Sequence, residues 1–155
     1  MPRQRAGRAG LVLLVVALGI GGCRATTELG PPAATPTDMG GIALALQRVG
    51  VRVDHVVSGD AGCPDPVLAK AAIALEASGL DQPAAAPVHL FIFDDDAAYQ
   101  RARPSVDACA RSFVTDPATY EALDQSPYVF AGQGPWGPAF KAAVRAALRT
   151  AAQGG

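Results

Sequence analysis

The sequence predicts an α+β fold: a small single-domain sandwich of a few-stranded β-sheet with helices packed on it. Three observations predict it. The run Val88 to Phe93, VHLFIF, is apolar on both alternating faces, as a central strand covered on both sides requires. The stretch from Pro138 to Ala151 places Phe140, Val144, Ala147, Leu148 and Ala151 on one helical face and Lys141, Arg145 and Arg149 on another. Between Asp38 and Val57 the chain reads helix, glycine, strand.

The N-terminus comes before that domain. Arg3, Arg5 and Arg8 form a basic head, and the 14 residues from Ala9 to Gly22 carry no charge. That run is shorter than the roughly 20 residues needed to span a bilayer, so it reads as a cleaved leader, residues 1–22, and not as a permanent helix. Ile20-Gly21-Gly22-Cys23 resembles the lipobox of bacterial lipoproteins: an aliphatic residue, two small ones, then the modified cysteine. The resemblance implies a diacylglycerol thioether on Cys23, with palmitate-type acyl chains, and cleavage before it. The expected location is then the cell membrane, lipid-anchored and facing the extracytoplasmic side of the cell envelope. Several acyl chains hold a protein on a membrane stably, whereas one is marginal.

There are three cysteines. With lipid on Cys23, the even pair Cys63 and Cys109 remains for a disulfide in an oxidising compartment. Closing that loop stabilises a fold by about 4 kcal/mol in the chain-entropy description. Neither cysteine lies in a CxxC pair, and a reactive thiol lacks an evident neighbouring base.

Removing Arg3, Arg5 and Arg8 with the leader leaves ten basic against fourteen acidic residues, a net charge of about −4. No basic stripe remains to hold nucleic acid, and no polybasic segment remains to hold anionic lipid. The membrane is therefore a partner through the lipid on Cys23 alone. Residues 23–37, rich in Thr and Pro, form a flexible tether, and residues 38–155 form the globular domain.

Within the domain, Asp38 is the expected N-cap of a helix carrying Ile42, Ala45, Leu46 and Val49, with Gly50 as its left-handed C-terminal residue. Val51, Val53, His55 and Val57 alternate with Arg52 and Asp54 as a half-buried strand. Ser58 to Pro66 is loop. Asp65-Pro66 favours a helix over Val67 to Ser78, and alanine content agrees; Ile73 to Ala77 also fits a strand leading to a turn at Gly79. Pro83 and Pro87 bracket a linker. Asp94 or Asp95 caps a helix from Ala97 to Arg103, which Pro104 either ends or restarts toward Val106, Cys109 and Ala110. Asp116-Pro117 starts a short helix through Leu123, and Tyr128 to Phe130 is a short strand. Gly132, Gly134, Pro135 and Gly137 make a tight connection around Trp136.

The pieces LALQRVGVRVD, VHLFIFDDDAAYQRA and YVFAGQGPWGPAFKAAVRAAL are similar to segments of small uncharacterised lipoproteins and secreted proteins of high-GC bacteria. They cover about a third of the mature chain, residues 23–155. The resemblance implies a compact α+β domain and brings no activity. The chain departs from that group between Cys63 and Pro87, where the similar proteins tend to show a strand hairpin.

No nucleophile elbow, P-loop, dinucleotide glycine signature or HExxH is present, and no motif implies a cofactor. The metal candidates are His55, His89 and the cluster Asp94 to Asp96. A contiguous acidic triplet before a helix more often caps it, and a strand histidine is more often a core residue. Trp136 either packs over the core or offers an aromatic contact; with Tyr128 and Tyr99 it is a candidate binding residue. Two functions remain: a non-enzymatic binding or structural domain with a protein or small-molecule partner, or a small cell-envelope hydrolase or metal-handling protein using His55, His89 and Asp94 to Asp96.

Overall fold

A computed structural model describes residues 39–153. The leader, Cys23, the tether and Asp38 lie outside the described residues. The elements in chain order are α1 (Gly40–Arg48), β1 (Arg52–Ser58), α2 (Pro66–Ala71), β2 (Ala72–Gly79), β3 (Gln82–Ile92), α3 (Asp96–Phe113), a 3₁₀ turn (Pro117–Thr119), β4 (Tyr120–Gln125), β5 (Tyr128–Gln133) and α4 (Pro138–Gln153). The strands form one antiparallel sheet in the order β1-β2-β3-β5-β4. This is an α+β sandwich with helices on both faces of the sheet.

Alternation along the central strands builds two cores. Ile73, Leu75, Val88, Leu90 and Phe130 point to one face and pack with Leu46 of α1 and with Phe140, Val144 and Leu148 of α4. Ala72, Phe91, Val129 and Ala131 point to the other and pack with Leu68 of α2 and with Val106 and Cys109 of α3. The stretch Val88 to Ile92 of β3 is thus covered on both sides, as its composition predicts.

Met39, not Asp38, stands at the N-cap of α1, with no side-chain cap. The helix ends as expected. Gly50 has φ +85°, its N–H donates to the Gln47 carbonyl and that of Val51 to the Leu46 carbonyl. Those two bonds satisfy carbonyls the helix leaves free.

Four expectations are corrected. In β1, His55 and Val56 stand together opposite Leu75, between the pairs Asp54–Glu76 and Val57–Ala74. This bulge shifts the alternation by one, so Val53 and Val56 turn to the core while His55 and Val57 turn out. Only the first part of Val67 to Ser78 is helical. From Ala72 the chain is a strand, because β2 lies between β1 and β3 and both its edges are hydrogen-bonded, which outweighs alanine's helix propensity. Nor is Pro83 to Pro87 a linker: both prolines lie in β3, in the part that pairs with β2 alone, since pairing with β5 begins at Val88. The short helix expected from Asp116-Pro117 to Leu123 is a single 3₁₀ turn, and Tyr120 to Gln125 pairs with β5 as an edge strand.

Pro104 neither ends nor restarts α3, which runs through it to Phe113. Pro104 and Gln100 are both exposed, so the carbonyl that the proline leaves without a donor faces water.

The loop between β5 and α4 is built around two groups. Trp136 is 3% exposed and packs against Phe130 and Phe140. Asp81, from the β2–β3 turn, accepts hydrogen bonds from the N–H groups of Ala139 (2.9 Å) and Phe140 (2.8 Å) and so caps α4 from another part of the chain. Those bonds lower the Asp81 pKa below the usual carboxylate value.

Phe140 is fully buried where α4 meets the sheet. Phe140→Ala should destabilise the domain by about 3–5 kcal/mol in urea unfolding, through lost burial and the cavity it leaves. An unchanged midpoint would show that α4 is not packed there.

Candidate functional site

A cleft of about 400 Å³ lies between α2, α3 and the end of β3. Its position follows from chain connectivity. Asp65 caps α2 by accepting from the N–H groups of Val67 (2.9 Å) and Leu68 (3.0 Å), with Pro66 at the first helical position. The helix lasts six residues, because Ala72 must enter the sheet opposite Phe91. A helix this short does not cover α3, and a gap is left beside it.

The floor of the gap is apolar. Leu68 (1% exposed) and Phe93 (8%) form its base, with Ala98 and Ala102 of α3 alongside. Lys70 reaches the cleft from α2 and Arg101 from α3, and among the described residues neither makes an ion pair. Asp94 also lies on the cleft. Such a site suits binding: an apolar base with a few charged groups above it is how small-ligand pockets are built. None of Leu68, Lys70 or Arg101 is singled out by a motif. The signals available were the Asp65-Pro66 cap and the recurrence of Ala98, Arg101, Ala102 and Ser105 at helical spacing.

The cleft is flanked by the Cys63–Cys109 disulfide, whose Cα atoms are 5.4 Å apart. It fastens the β1–α2 loop to α3. Next to it Gly62 has φ +72°, and the Phe113 ring occupies the space its Cβ would need, 2.3 Å from Cδ1. Only glycine lets the loop lie that close to α3.

The sequence-predicted metal candidates are not brought together. β2 separates β1 from β3, so His55 and His89 are not on adjacent strands. His55 is exposed and its Nδ1 lies 2.9 Å from Glu76 Oε2. His89 is 8% exposed, packs against Phe113 at a tilt with ring centroids 4.0 Å apart, and has Nε2 3.9 Å from Asp60 Oδ1. The acidic triplet is divided among three tasks. Asp94 borders the cleft, Asp95 caps α3 by accepting from the Ala98 N–H (2.7 Å), and Asp96 accepts from the Ser126 hydroxyl. Among the described residues no three His, Cys, Asp or Glu side chains converge as metal ligands do.

The aromatic candidates do not form a surface either. Trp136 is buried and its Nε1–H donates to the Gln133 carbonyl (2.8 Å), so it is a core residue and not an exposed contact. Tyr128 packs on the α1–α4 side of the sheet, whereas Tyr99 packs on the opposite side against Phe93. The Tyr99 hydroxyl donates to Asp124 (3.1 Å).

Tyr99 belongs to a polar cluster that no motif announces. Arg103 of α3 pairs with Asp124 of β4 through Nε and Nη2, and with Asp107 one turn further along α3 through Nη1. The Tyr120 hydroxyl donates to Asp107 (2.7 Å). Burial and the adjacent carboxylates raise the pKa of both tyrosines. The two carboxylates pair with the guanidinium, so the cluster fastens α3 to the edge strand.

Burial holds the His89 pKa below its ordinary 6.5, and the Asp60 charge opposes this only in part. The unfolded chain therefore takes up a proton near pH 6.5 that the folded chain refuses until lower pH, so stability falls as pH drops through that window. Unfolding free energy measured from pH 7 to pH 5 should decline for the natural chain. It should decline less steeply for His89→Leu, and identical slopes would show that His89 is not buried as a neutral ring.

No family model matches this chain, and no curated protein or solved structure matches it either, so the site is read from its own chemistry.

Proposed function

We propose that this chain is an exported lipoprotein, held by lipid on Cys23 at the extracytoplasmic face of a bacterial cell membrane. Its domain binds a small ligand in the α2–α3 cleft and is not an enzyme. The observation that carries the reading is the bond between Cys63 and Cys109. A bridge of this kind persists where the surroundings are oxidising, outside the cytoplasm. It also uses two of the three cysteines and leaves Cys23, directly behind Ile20-Gly21-Gly22, as the one available for acylation.

Binding is favoured over catalysis by what lines the cleft. Leu68, Phe93, Ala98 and Ala102 give it an apolar base, and its charged groups include no nucleophile paired with a base. A hydrolase or metal-handling protein built on His55, His89 and Asp94 to Asp96 finds no support in the geometry, since each histidine faces its own carboxylate, Asp95 and Asp96 are engaged by separate partners and Asp94 borders the cleft.

Cell fractionation tests the anchor. Cys23→Ser should move the protein from the membrane to the soluble fraction, and the natural protein should carry a mass increase of acyl chains on its first residue. Equal membrane retention of both forms, or an unmodified Cys23, would overturn the reading.

A further inference from the structure

The α2–α3 cleft carries more chemistry than a hydrophobic gap. Its base is a continuous apolar strip of Leu68, Phe93, Ala98 and Ala102, and Val67 beside it is 69% exposed, unusual for a large apolar side chain. Its two cations come from opposite walls, Lys70 from the short helix and Arg101 from the long one. The two acids on the lining differ in what they do. Asp65 is taken up by the backbone N–H groups of Val67 and Leu68, whereas Asp94 has no hydrogen bond or ion pair among the described residues. Among the described residues the charged groups on the lining without a hydrogen bond or ion pair are therefore two cations and one carboxylate, above an apolar floor.

We propose that the α2–α3 cleft binds an amphipathic monocarboxylate, a compact aliphatic or aromatic body ending in one carboxylate, with Lys70 and Arg101 closing on the carboxylate and Leu68, Phe93, Ala98 and Ala102 receiving the apolar body. Charge complementarity selects this class. A cationic amphiphile meets two like charges and two carboxylates, of which Asp65 is already held by two backbone N–H groups, and a neutral one gains the apolar contact alone. Size agrees: a volume of about 400 Å³ sits in the range of small-ligand pockets. Arg101 is able to grip a carboxylate with two parallel N–H donors, and Lys70 adds a point charge. The inference rests on the proposal that this cleft is a binding site, and it does not depend on the lipid at Cys23.

Three probes that share one body and differ in the head group test it: 4-phenylbutyrate, 4-phenylbutanol and 4-phenylbutylamine. Binding is measured by equilibrium dialysis against the full chain in lipid nanodiscs, with empty discs as reference, at low salt. The carboxylate should bind with Kd on the order of 0.1–1 mM, about what a ligand of this size gains. The alcohol should bind roughly tenfold more weakly, and the amine more weakly still, if each cation contributes as such surface charges do. Lys70→Gln and Arg101→Gln should each weaken the carboxylate about threefold, and the double variant should reduce it to the level of the alcohol. Arg145→Gln, an exposed cation on α4 at the opposite face of the sheet, should leave all three probes unchanged. Ala102→Leu, which fills the floor, should weaken every probe.

The outcomes separate the two claims. Equal binding of the three probes, all weakened by Ala102→Leu, would overturn the carboxylate preference and leave the cleft as a site. Tighter binding of the amine would overturn it as well. No binding of any probe, or binding that Ala102→Leu does not touch, would overturn both.

Discussion

The covalent clip between Cys63 and Cys109 is the constraint on which the rest of the arrangement depends. It joins residues 46 apart in sequence and removes about 4 kcal/mol of chain entropy from the unfolded state. Its local consequence is larger than that figure suggests. The β1–α2 loop has little regular structure to hold it, yet it delivers Cys63 to α3 and starts α2 two residues later at Asp65. Because α2 must then join the sheet at Ala72, its length and its position beside α3 are fixed from both ends. The cleft is what remains between a short helix pinned at its start and a long helix that it does not cover.

The long helix is held by more than the clip. On its sheet side Val106, Cys109 and Ala110 are buried, and its N-terminal end is capped by Asp95. Arg103 spans from α3 to Asp124 on β4, with Asp107, Tyr99 and Tyr120 completing the hydrogen bonds. A partly buried arginine would be costly alone; enclosed by two carboxylates it is stabilised and holds the edge strand. Asp81 does the corresponding work on the other face, where it links the β2–β3 turn to the first turn of α4. These side chains make the scaffold rigid, and Lys70 and Arg101 are left free at its surface.

Much of the fold was legible in the sequence, for reasons that can be named. VHLFIF reads as a central strand because both its faces are apolar, and α4 reads as a helix because Phe140, Val144 and Leu148 recur at its period. The Gly50 cap and the Asp95 cap were visible because their chemistry is local. What failed was whatever depends on a distant neighbour. Ala72 to Gly79 has helical composition and becomes a strand only because β1 and β3 lie on either side. Pro83 and Pro87 look like linker until one sees that β3 lacks a second partner there. Tyr120 to Gln125 is a strand through its pairing with β5. The cleft was illegible for the same reason: Lys70 and Arg101 are 31 positions apart in number and meet only through the packing of α2 on α3. For Trp136 the sequence left core packing and an aromatic contact both open, and its indole is engaged in the core.

The bridge between Cys63 and Cys109 positions the cleft, and the proposed extracytoplasmic location rests on its forming in the cell. Alkylation of the protein as isolated from cells, under denaturing and non-reducing conditions followed by peptide mass spectrometry, tests it most directly. The account predicts that neither Cys63 nor Cys109 takes the label and that their peptides travel as one linked species. Full labelling of both thiols would contradict it.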